Sequence, residues 1–289
     1  MDKKYTLTKE TKKVNGHILY RIRALKDFGD VKKGDFGGWI EKEDNLSHKR
    51  NCWVYPSACV YDDACVFGNA LVLGDVQIYG HAQVFGNARI FGNALVFGNA
   101  VVAGNARVSG SACVYGDACV YGDALVFGGV QIRDNARVFD NAIVADNARV
   151  FDNAIVADNA RVFGGARIFG NAIVADNAWI FGGARIFDNA FVFDNARIFD
   201  NARVNGDARV FDNAWVYGKA QVCDNAIVFG NAQVSGSAQV YDDACVYGDA
   251  WVCGDDKIFG NARVSGNARV ADGVEGESGL ESKKKKKNS

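Results

Sequence analysis

Several features that mark common protein classes are scarce or missing in this chain of 289 residues. It has one proline, which excludes a proline-rich segment of low complexity, and its 33 glycines follow no collagen-like period. No apolar run is long enough for a membrane-spanning helix, and the start MDKKYTLTKETKK is too polar for a signal peptide. The eight cysteines show no CxxC pair and no metal-ligand spacing, which predicts reduced thiols in a cytoplasmic protein.

Charge of one sign does not dominate either. The formal net charge is -1, so the whole-chain balance predicts neither a nucleic-acid nor a membrane partner. The repeated part of the chain is acidic, but arginines interrupt it, and an acidic mimic of duplex DNA would need a continuous negative face. We therefore expect a partner of another kind.

What the chain has in abundance is a period of six residues. From Val54 to Val270 every sixth residue is Val or Ile, which makes 37 hexads. In the consensus, Gly or Asp and then Asn or Asp come four and three residues before the aliphatic. Ala comes two residues before it, with four departures: Cys52, Val76, Val130 and Asp256.

This hexad predicts one short strand and one corner. Ala and the aliphatic are two residues apart, so both point to one face of a strand, and the residue between them points outwards. The Gly-Asn and Asp-Asn pairs are residue types that tolerate positive φ and make tight turns. A helix is excluded, because a period of six would spread the aliphatics around its circumference. With one small and one medium apolar residue per side, three sides close into a triangular coil.

Phrases such as VFGNAR, IFGNAI and VYGDAC resemble the hexapeptide-repeat superfamily. The resemblance runs from Trp53 to Ala271 and implies an all-β fold, a left-handed parallel β-helix of about 12 triangular coils. The residue after the aliphatic is usually small in that family, whereas here it is largely Phe or Tyr. We expect those rings to stack outside the coils or at their corners.

The sequence divides into three parts. Residues 1–52 contain two strand-like runs around an Asn-Gly turn and predict a small N-terminal β cap, with Phe28, Phe36 and Trp39 covering the first coil. This segment resembles the head of an uncharacterised group of bacterial and prophage hexapeptide proteins. Residues 53–272 are the β-helix, and the Lys-rich residues 273–289 are predicted to be disordered.

The resemblance also implies two enzymatic possibilities, which both need histidine on the β-helix. Zinc hydration chemistry uses three histidines, and the repeats contain His81 alone, so that alternative is rejected. Acyl-CoA-dependent acyl transfer uses one histidine as a base, and His81 would serve if the chain formed a trimer with a pocket between subunits. The 37 hexads contain no insertion to wall such a pocket.

Outward residues 18 positions apart stack on consecutive coils, so the surface can be sorted into ladders. Four ladders are candidate binding sites. They are an arginine ladder of Arg149, Arg167, Arg185 and Arg203; a ladder with Trp179, Trp215 and Trp251, in which arginine alternates with indole; an apolar strip of Ile155, Ile173 and Phe191; and a corner column of Asp140, Asp158, Asp176, Asp194 and Asp212.

These ladders favour a non-catalytic function. The sequence predicts a rigid β-helical rod that presents its ladders to a protein partner or to further copies of itself, for example in a homotrimer formed through the apolar strip. No cofactor is expected, except that Ca²⁺ bound along the Asp column would relieve repulsion between carboxylates. The alternative is the trimeric acyltransferase, with acyl-CoA as its cofactor.

Overall fold

The computed structural model describes residues 3–271, together with the backbone of Glu275–Gly276 and Leu280–Glu281. The described residues are all β, apart from one turn of 3₁₀ helix at Glu43–Asn45. In that part of the chain no helix has the length and apolarity needed to cross a membrane. The chain forms two compact units, residues 1–147 and 148–289, which are described separately.

The first unit begins with three longer strands, β1 (Tyr5–Val14), β2 (His17–Ala24) and β3 (Phe36–Ile40). β1 and β2 form the antiparallel hairpin predicted around Asn15–Gly16, whose two residues have φ of 47° and 95°. β3 pairs antiparallel with β2 and parallel with the dipeptide Cys59–Val60, so this segment joins the sheet of the first coils. Its capping role stays a prediction.

The three aromatic residues predicted to cover the first coil have different positions. The Phe28 ring lies 5.2 Å from that of Trp53, and Trp39 packs on the cluster of Leu19, Cys59 and Tyr61. The prediction is wrong for Phe36, the first residue of β3, whose side chain is exposed. The guanidinium groups of Arg21 and Arg23 lie 4.4 and 5.3 Å from its ring centre. The Phe36 ring therefore makes cation–π contacts with these arginines and does not belong to the core.

The rest of the first unit consists of two-residue strands, one for each hexad. Every third strand shares a parallel sheet, which gives three sheets ordered β3-β5-β8-β11-β14-β17, β4-β7-β10-β13-β16-β19 and β6-β9-β12-β15-β18. In chain order β4 to β19 are Trp53–Val54, Cys59–Val60, Cys65–Val66, Leu71–Val72, Gln77–Ile78, Gln83–Val84, Arg89–Ile90, Leu95–Val96, Val101–Val102, Arg107–Val108, Cys113–Val114, Cys119–Val120, Leu125–Val126, Gln131–Ile132, Arg137–Val138 and Ile143–Val144.

The second unit repeats this arrangement. Its sheets are ordered β20-β23-β26-β29-β32-β35-β38-β41, β21-β24-β27-β30-β33-β36-β39-β42 and β22-β25-β28-β31-β34-β37-β40. In chain order β20 to β42 are Arg149–Val150, Ile155–Val156, Arg161–Val162, Arg167–Ile168, Ile173–Val174, Trp179–Ile180, Arg185–Ile186, Phe191–Val192, Arg197–Ile198, Arg203–Val204, Arg209–Val210, Trp215–Val216, Gln221–Val222, Ile227–Val228, Gln233–Val234, Gln239–Val240, Cys245–Val246, Trp251–Val252, Lys257–Ile258, Arg263–Ser265, Arg269–Val270, Glu275–Gly276 and Leu280–Glu281.

This topology confirms the parallel β-solenoid with three strands per turn, and the core is the one that the hexad predicts. Ala and the aliphatic are buried throughout the described hexads except at the half-buried Ala268, and Ala166 and Ile168, for example, have 0% exposure. Neighbouring coils are joined by backbone hydrogen bonds, such as Arg167 N to Ala184 O at 2.9 Å. Each buried aliphatic contributes roughly 1.5–3 kcal/mol, which it can do only because the next coil covers it. The left-handed winding stays a prediction.

The predicted disordered tail, residues 273–289, lies mostly outside the described residues. The exceptions are β41 and β42, which pair in parallel with β38 and β39.

Stacking of identical residues extends to the corners and the rings. The rings of Phe151, Phe169 and Phe187 stack 4.9 Å apart with interplanar angles of 2° and 1°, which confirms the predicted ring ladders. Asn side chains stack likewise, because an amide both donates and accepts. Asn171 Nδ2 donates to Asn189 Oδ1, whose own Nδ2 donates to Asp207 Oδ1, both at 3.0 Å.

From residue 62 onwards, the first corner position of every hexad is filled by Gly or Asp, and these residues have positive φ, for example Asp62, Gly68 and Asp212. Asp212 has φ of 57°, and its Oδ2 accepts the backbone N–H of Gly230, one coil further on, at 3.0 Å. An L-residue pays a steric cost of roughly 1–2 kcal/mol in this left-handed region, which Asp and Asn tolerate best. Asp therefore combines tolerance of the turn with a bond to the next coil.

We expect Asp212→Ala to lower the free energy of unfolding by about 2 kcal/mol, because it removes the carboxylate acceptor and places Ala at positive φ. Asp212→Asn should lose less than half of that, since Asn retains an acceptor and tolerates the turn. Urea unfolding followed by circular dichroism measures both changes. Equal losses in the two variants would contradict this account of the corner.

Candidate binding faces and the His81 corner

The four arginines of the predicted ladder lie on one sheet of the second unit, here named the arginine face (Arg149, Arg167, Arg185 and Arg203). Consecutive members are directly paired in parallel register. Parallel strands lie roughly 4.8 Å apart, so the four like charges crowd together. In the described part of the chain none of them makes an ion pair within 4.0 Å. The arginine face therefore presents four guanidinium groups that have no carboxylate partner among the described residues.

A groove of about 360 Å³ opens beside this face. Three of its lining side chains are cationic, namely Arg185, Arg203 and Lys219. Gly183 and Asn201 form its corner side, where a Cβ added to Gly183 would meet Asn201 Oδ1 at 2.8 Å. The absence of a side chain at Gly183 thus leaves room next to two of the arginines. Cations lining a recess beside amide groups suit an anionic ligand group.

The ladder of alternating arginine and tryptophan lies on another sheet of the same unit. Arg197 lies between two indoles, with its guanidinium carbon 5.5 Å from the centre of Trp179 and 5.1 Å from that of Trp215. Arg269 lies 4.1 Å from Trp251, whose Nε1 donates to Ser235 Oγ at 3.0 Å. Indole faces attract cations, so the arginines here have partners within the solenoid.

Arg197→Gln should therefore lower the free energy of unfolding by about 1 kcal/mol, because two exposed cation–π contacts are lost. It should also shift tryptophan emission, since Trp179 and Trp215 lose the same neighbour. Arg203→Gln is the matched control, because Arg203 lies in the next strand along the chain and makes no indole contact among the described residues. Equal effects of the two substitutions on stability and emission would remove the basis for the cation–π ladder.

The apolar strip of Ile155, Ile173 and Phe191 is also in register. Phe191 is 38% exposed, whereas both isoleucines are half-buried. Arg209 pairs next to Phe191 and ends the strip. The strip is thus short, and its role as a trimer or partner contact stays a prediction.

The Asp column has a partner that the sequence did not suggest. The carboxylates accept hydrogen bonds from the next coil rather than from their own turn. Asp158 Oδ2 accepts the backbone N–H of Asp176, Asp176 does the same for Asp194, and Asp194 for Asp212, each at 3.3 Å. Asp140 belongs to the first unit and has the same positive φ, 56°. These hydrogen bonds give the carboxylates partners without a metal ion. Ca²⁺ binding by the column stays a prediction.

His81 lies at an exposed corner of the first unit. Its side chain is 70% exposed, and its Nδ1 lies 3.6 Å from Asp63 Oδ2. The other oxygen of Asp63 accepts from Lys42 Nζ at 2.5 Å, and this bond holds the pKa of Asp63 below its usual value. An aspartate beside an imidazole can orient it as a base, but a ring this exposed needs a second surface to exclude water.

Another cluster in the first unit escaped the sequence interpretation. His17 Nδ1 lies 3.1 Å from Glu41 Oε1, and His17 Nε2 lies 3.3 Å from Asp62 Oδ1. The Glu41 hydrogen bond raises the pKa of His17. Burial alone would raise the pKa of Glu41, but the bonds from His17 and from the backbone N–H of Asp62 lower it. No signal in the sequence joins these residues, because each stands alone outside the hexad consensus or at an ordinary corner.

Comparison with known proteins supports the predicted family. Segments of the chain match the family model described as the YdcK beta solenoid repeat. The matched residues are 82–96, 88–104, 196–210, 220–236, 238–254 and 258–274. All begin within the hexads, and together with the solenoid fold they fit a hexapeptide-like β-helix family, as the sequence resemblance indicated.

A relative from Escherichia coli (strain K12), named "Uncharacterized acetyltransferase YdcK", is 47% identical over 38 residues. The match covers 13% of this chain and 12% of the relative. The shared stretch is thus a small part of both proteins.

Proposed function

We propose that this chain is a non-catalytic binding solenoid whose arginine face docks an acidic surface of a protein partner. The observation that carries the proposal is the in-register stack of Arg149, Arg167, Arg185 and Arg203 without an ion pair among the described residues. Like charges held in such a stack repel one another, and a row of carboxylates with the same spacing would relieve that repulsion.

The side chains that line the groove beside the arginine face also favour an acidic ligand. Arg185, Arg203 and Lys219 line it together. The neutral amide groups of Asn201 and Gln221 complete the lining, which contains no acidic side chain. A carboxylate that enters the groove would therefore meet hydrogen-bond donors. A β-strand that presents Asp or Glu at each step of a parallel stack has the repeat that matches the face.

A second copy of this chain is one source of such a surface. The Asp column of the second unit repeats once per coil, as the arginine face does, and its members each use one oxygen for a backbone bond. The other carboxylate oxygen of each remains to accept from a guanidinium. The net charge of -1 means that two copies would repel each other little.

The double variant Arg167→Glu/Arg185→Glu tests the proposal. A fluorescent polyglutamate peptide should bind the unaltered chain, more weakly as salt rises, because exposed charges are screened. The double variant should bind at least about tenfold more weakly, since two contacts of roughly 1 kcal/mol are lost and repulsion replaces them. Fluorescence anisotropy at several salt concentrations measures this.

Arg209→Glu is the control, because it reverses an exposed arginine on a neighbouring sheet, between Phe191 and Ile227. It should leave binding within about twofold. An equal loss in the control, or no binding of the peptide at low salt, would overturn the proposal. Sedimentation velocity on the same proteins identifies the source of the acidic surface, since self-association through this face would vanish in the double variant.

A second candidate function is acetyl-CoA-dependent acyl transfer around His81. Two observations favour it: the Escherichia coli relative is named an acetyltransferase, and the Asp63 carboxylate lies beside the His81 ring. The reaction would need a trimer, in which a neighbouring subunit covers the exposed imidazole. His81 would then accept a proton from the acceptor's nucleophile as it attacks the thioester.

His81→Ala should lower any acetyl-CoA turnover by about 100-fold or more, as removal of a general base does. Asn99→Ala is the matched control, because Asn99 holds the same corner one coil further on and its Nδ2 donates to Asp117 Oδ1 at 2.8 Å. Chromatographic detection of free CoA in the presence of amine and hydroxyl acceptors measures turnover. If the unaltered chain shows none, or if His81→Ala retains all of it, this candidate is removed.

A further inference from the structure

The His17 cluster joins three separate parts of the first unit. His17 is the first residue of β2, Glu41 directly follows β3, and Asp62 stands at the corner after β5. One ligand atom from each of the three lies within 4.8 Å of the other two. All three side chains are about one-third exposed, so the cluster is open to ions from solvent.

Backbone groups hold both carboxylates in place. Glu41 Oε2 accepts the N–H of Asp62 at 2.7 Å, and Asp62 Oδ2 accepts the N–H of Gly80 at 3.1 Å. Each carboxylate is thus anchored through one oxygen, while the other, Glu41 Oε1 or Asp62 Oδ1, points to the imidazole. Ligands that are oriented in this way lose little freedom when an ion binds.

The imidazole is also supported from one side. The ring of Tyr61 lies 5.1 Å from that of His17, and the Tyr61 hydroxyl accepts from Asn15 at 2.9 Å and donates to Gln77 at 3.2 Å. His17 therefore lies between the Tyr61 ring, which two hydrogen bonds hold in place, and two carboxylates.

The net charge of the cluster favours a cation. Two carboxylates face one imidazole, so the cluster keeps a negative charge even when His17 is protonated. Lys42, the nearest lysine in sequence, bonds Asp63 instead. One imidazole nitrogen and two carboxylate oxygens form a donor set that suits Zn²⁺, which binds these atom types at about 2.0–2.2 Å and completes its shell with water.

We propose that His17, Glu41 and Asp62 form a binding site for Zn²⁺ that ties the N-terminal strands to the first coils. The ion takes one nitrogen of a neutral His17, Glu41 Oε1 and Asp62 Oδ1, and it replaces the direct contacts between imidazole and carboxylates. Water fills the remaining positions. The site shares no residue with the arginine face or with the pair of His81 and Asp63. Its bound ion stabilises the fold because the unfolded chain does not hold the three ligands together.

The test uses the full chain after treatment with a chelator. Zn²⁺ titrated by calorimetry should bind at one site per chain, and it should raise the melting temperature. His17→Gln and Asp62→Asn should each weaken that binding at least tenfold, as loss of one ligand does. Asn suits position 62, which has φ of 57°, so the corner is retained.

His81→Gln is the matched control, a histidine that faces a neighbouring aspartate without belonging to the cluster. It should bind Zn²⁺ as the unaltered chain does. The metal-free variants should melt within a few degrees of the unaltered chain. This result would show that a variant that no longer binds Zn²⁺ is still folded.

The eight free cysteines offer a rival location, which Co²⁺ distinguishes. Thiolate ligands give Co²⁺ an intense charge-transfer absorption that nitrogen and oxygen ligands lack. The proposal requires weak visible bands and no thiolate absorption. A thiolate band, binding that His17→Gln does not weaken, or no stoichiometric binding would each overturn it.

Discussion

The interior of each coil has space for one small and one aliphatic side chain per strand, and this constraint determines the rest of the structure. A two-residue strand buries its Ala and its Val or Ile only when another coil lies on it, as Ala166 and Ile168 do between their neighbours. Parallel pairing without register shifts then places residues 18 apart directly over one another. Every outward side chain must therefore coexist with its own repeat at a distance of roughly 4.8 Å.

Different residue types meet that requirement in different ways. Phe rings stack face to face, Asn amides donate along the column, and Asp carboxylates accept the N–H of the next coil. Arg197 separates two indoles and so meets no second arginine. The arginine face has none of these arrangements among the described residues, which is why it differs from the other ladders as a surface for a partner.

Much of this follows from arithmetic on the sequence. The period of six predicts the strands, the buried positions and the ladders, because contacts 18 residues apart need only counting. The period does not predict which groups the side chains bond. The Asp carboxylates accept from the next coil rather than from their own turn, because the rise of one coil brings the next backbone N–H within hydrogen-bond distance. The His17, Glu41 and Asp62 cluster was beyond prediction, because no period connects a hairpin turn with a corner 45 residues later.

That difference also bears on where chemistry can reside in such a fold. A coil that repeats its neighbour offers the same groups at every level, so it can present a row of charges but cannot gather three unlike ligands at one point. Unlike ligands meet where the period starts, because the residues before the hexads do not follow the period. His17 of β2 and Glu41, which follows β3, come from that segment and meet Asp62 at one of the first corners. In this chain a repeated surface suits a repeated partner, whereas a single ion belongs at the junction between the hairpin and the first coils.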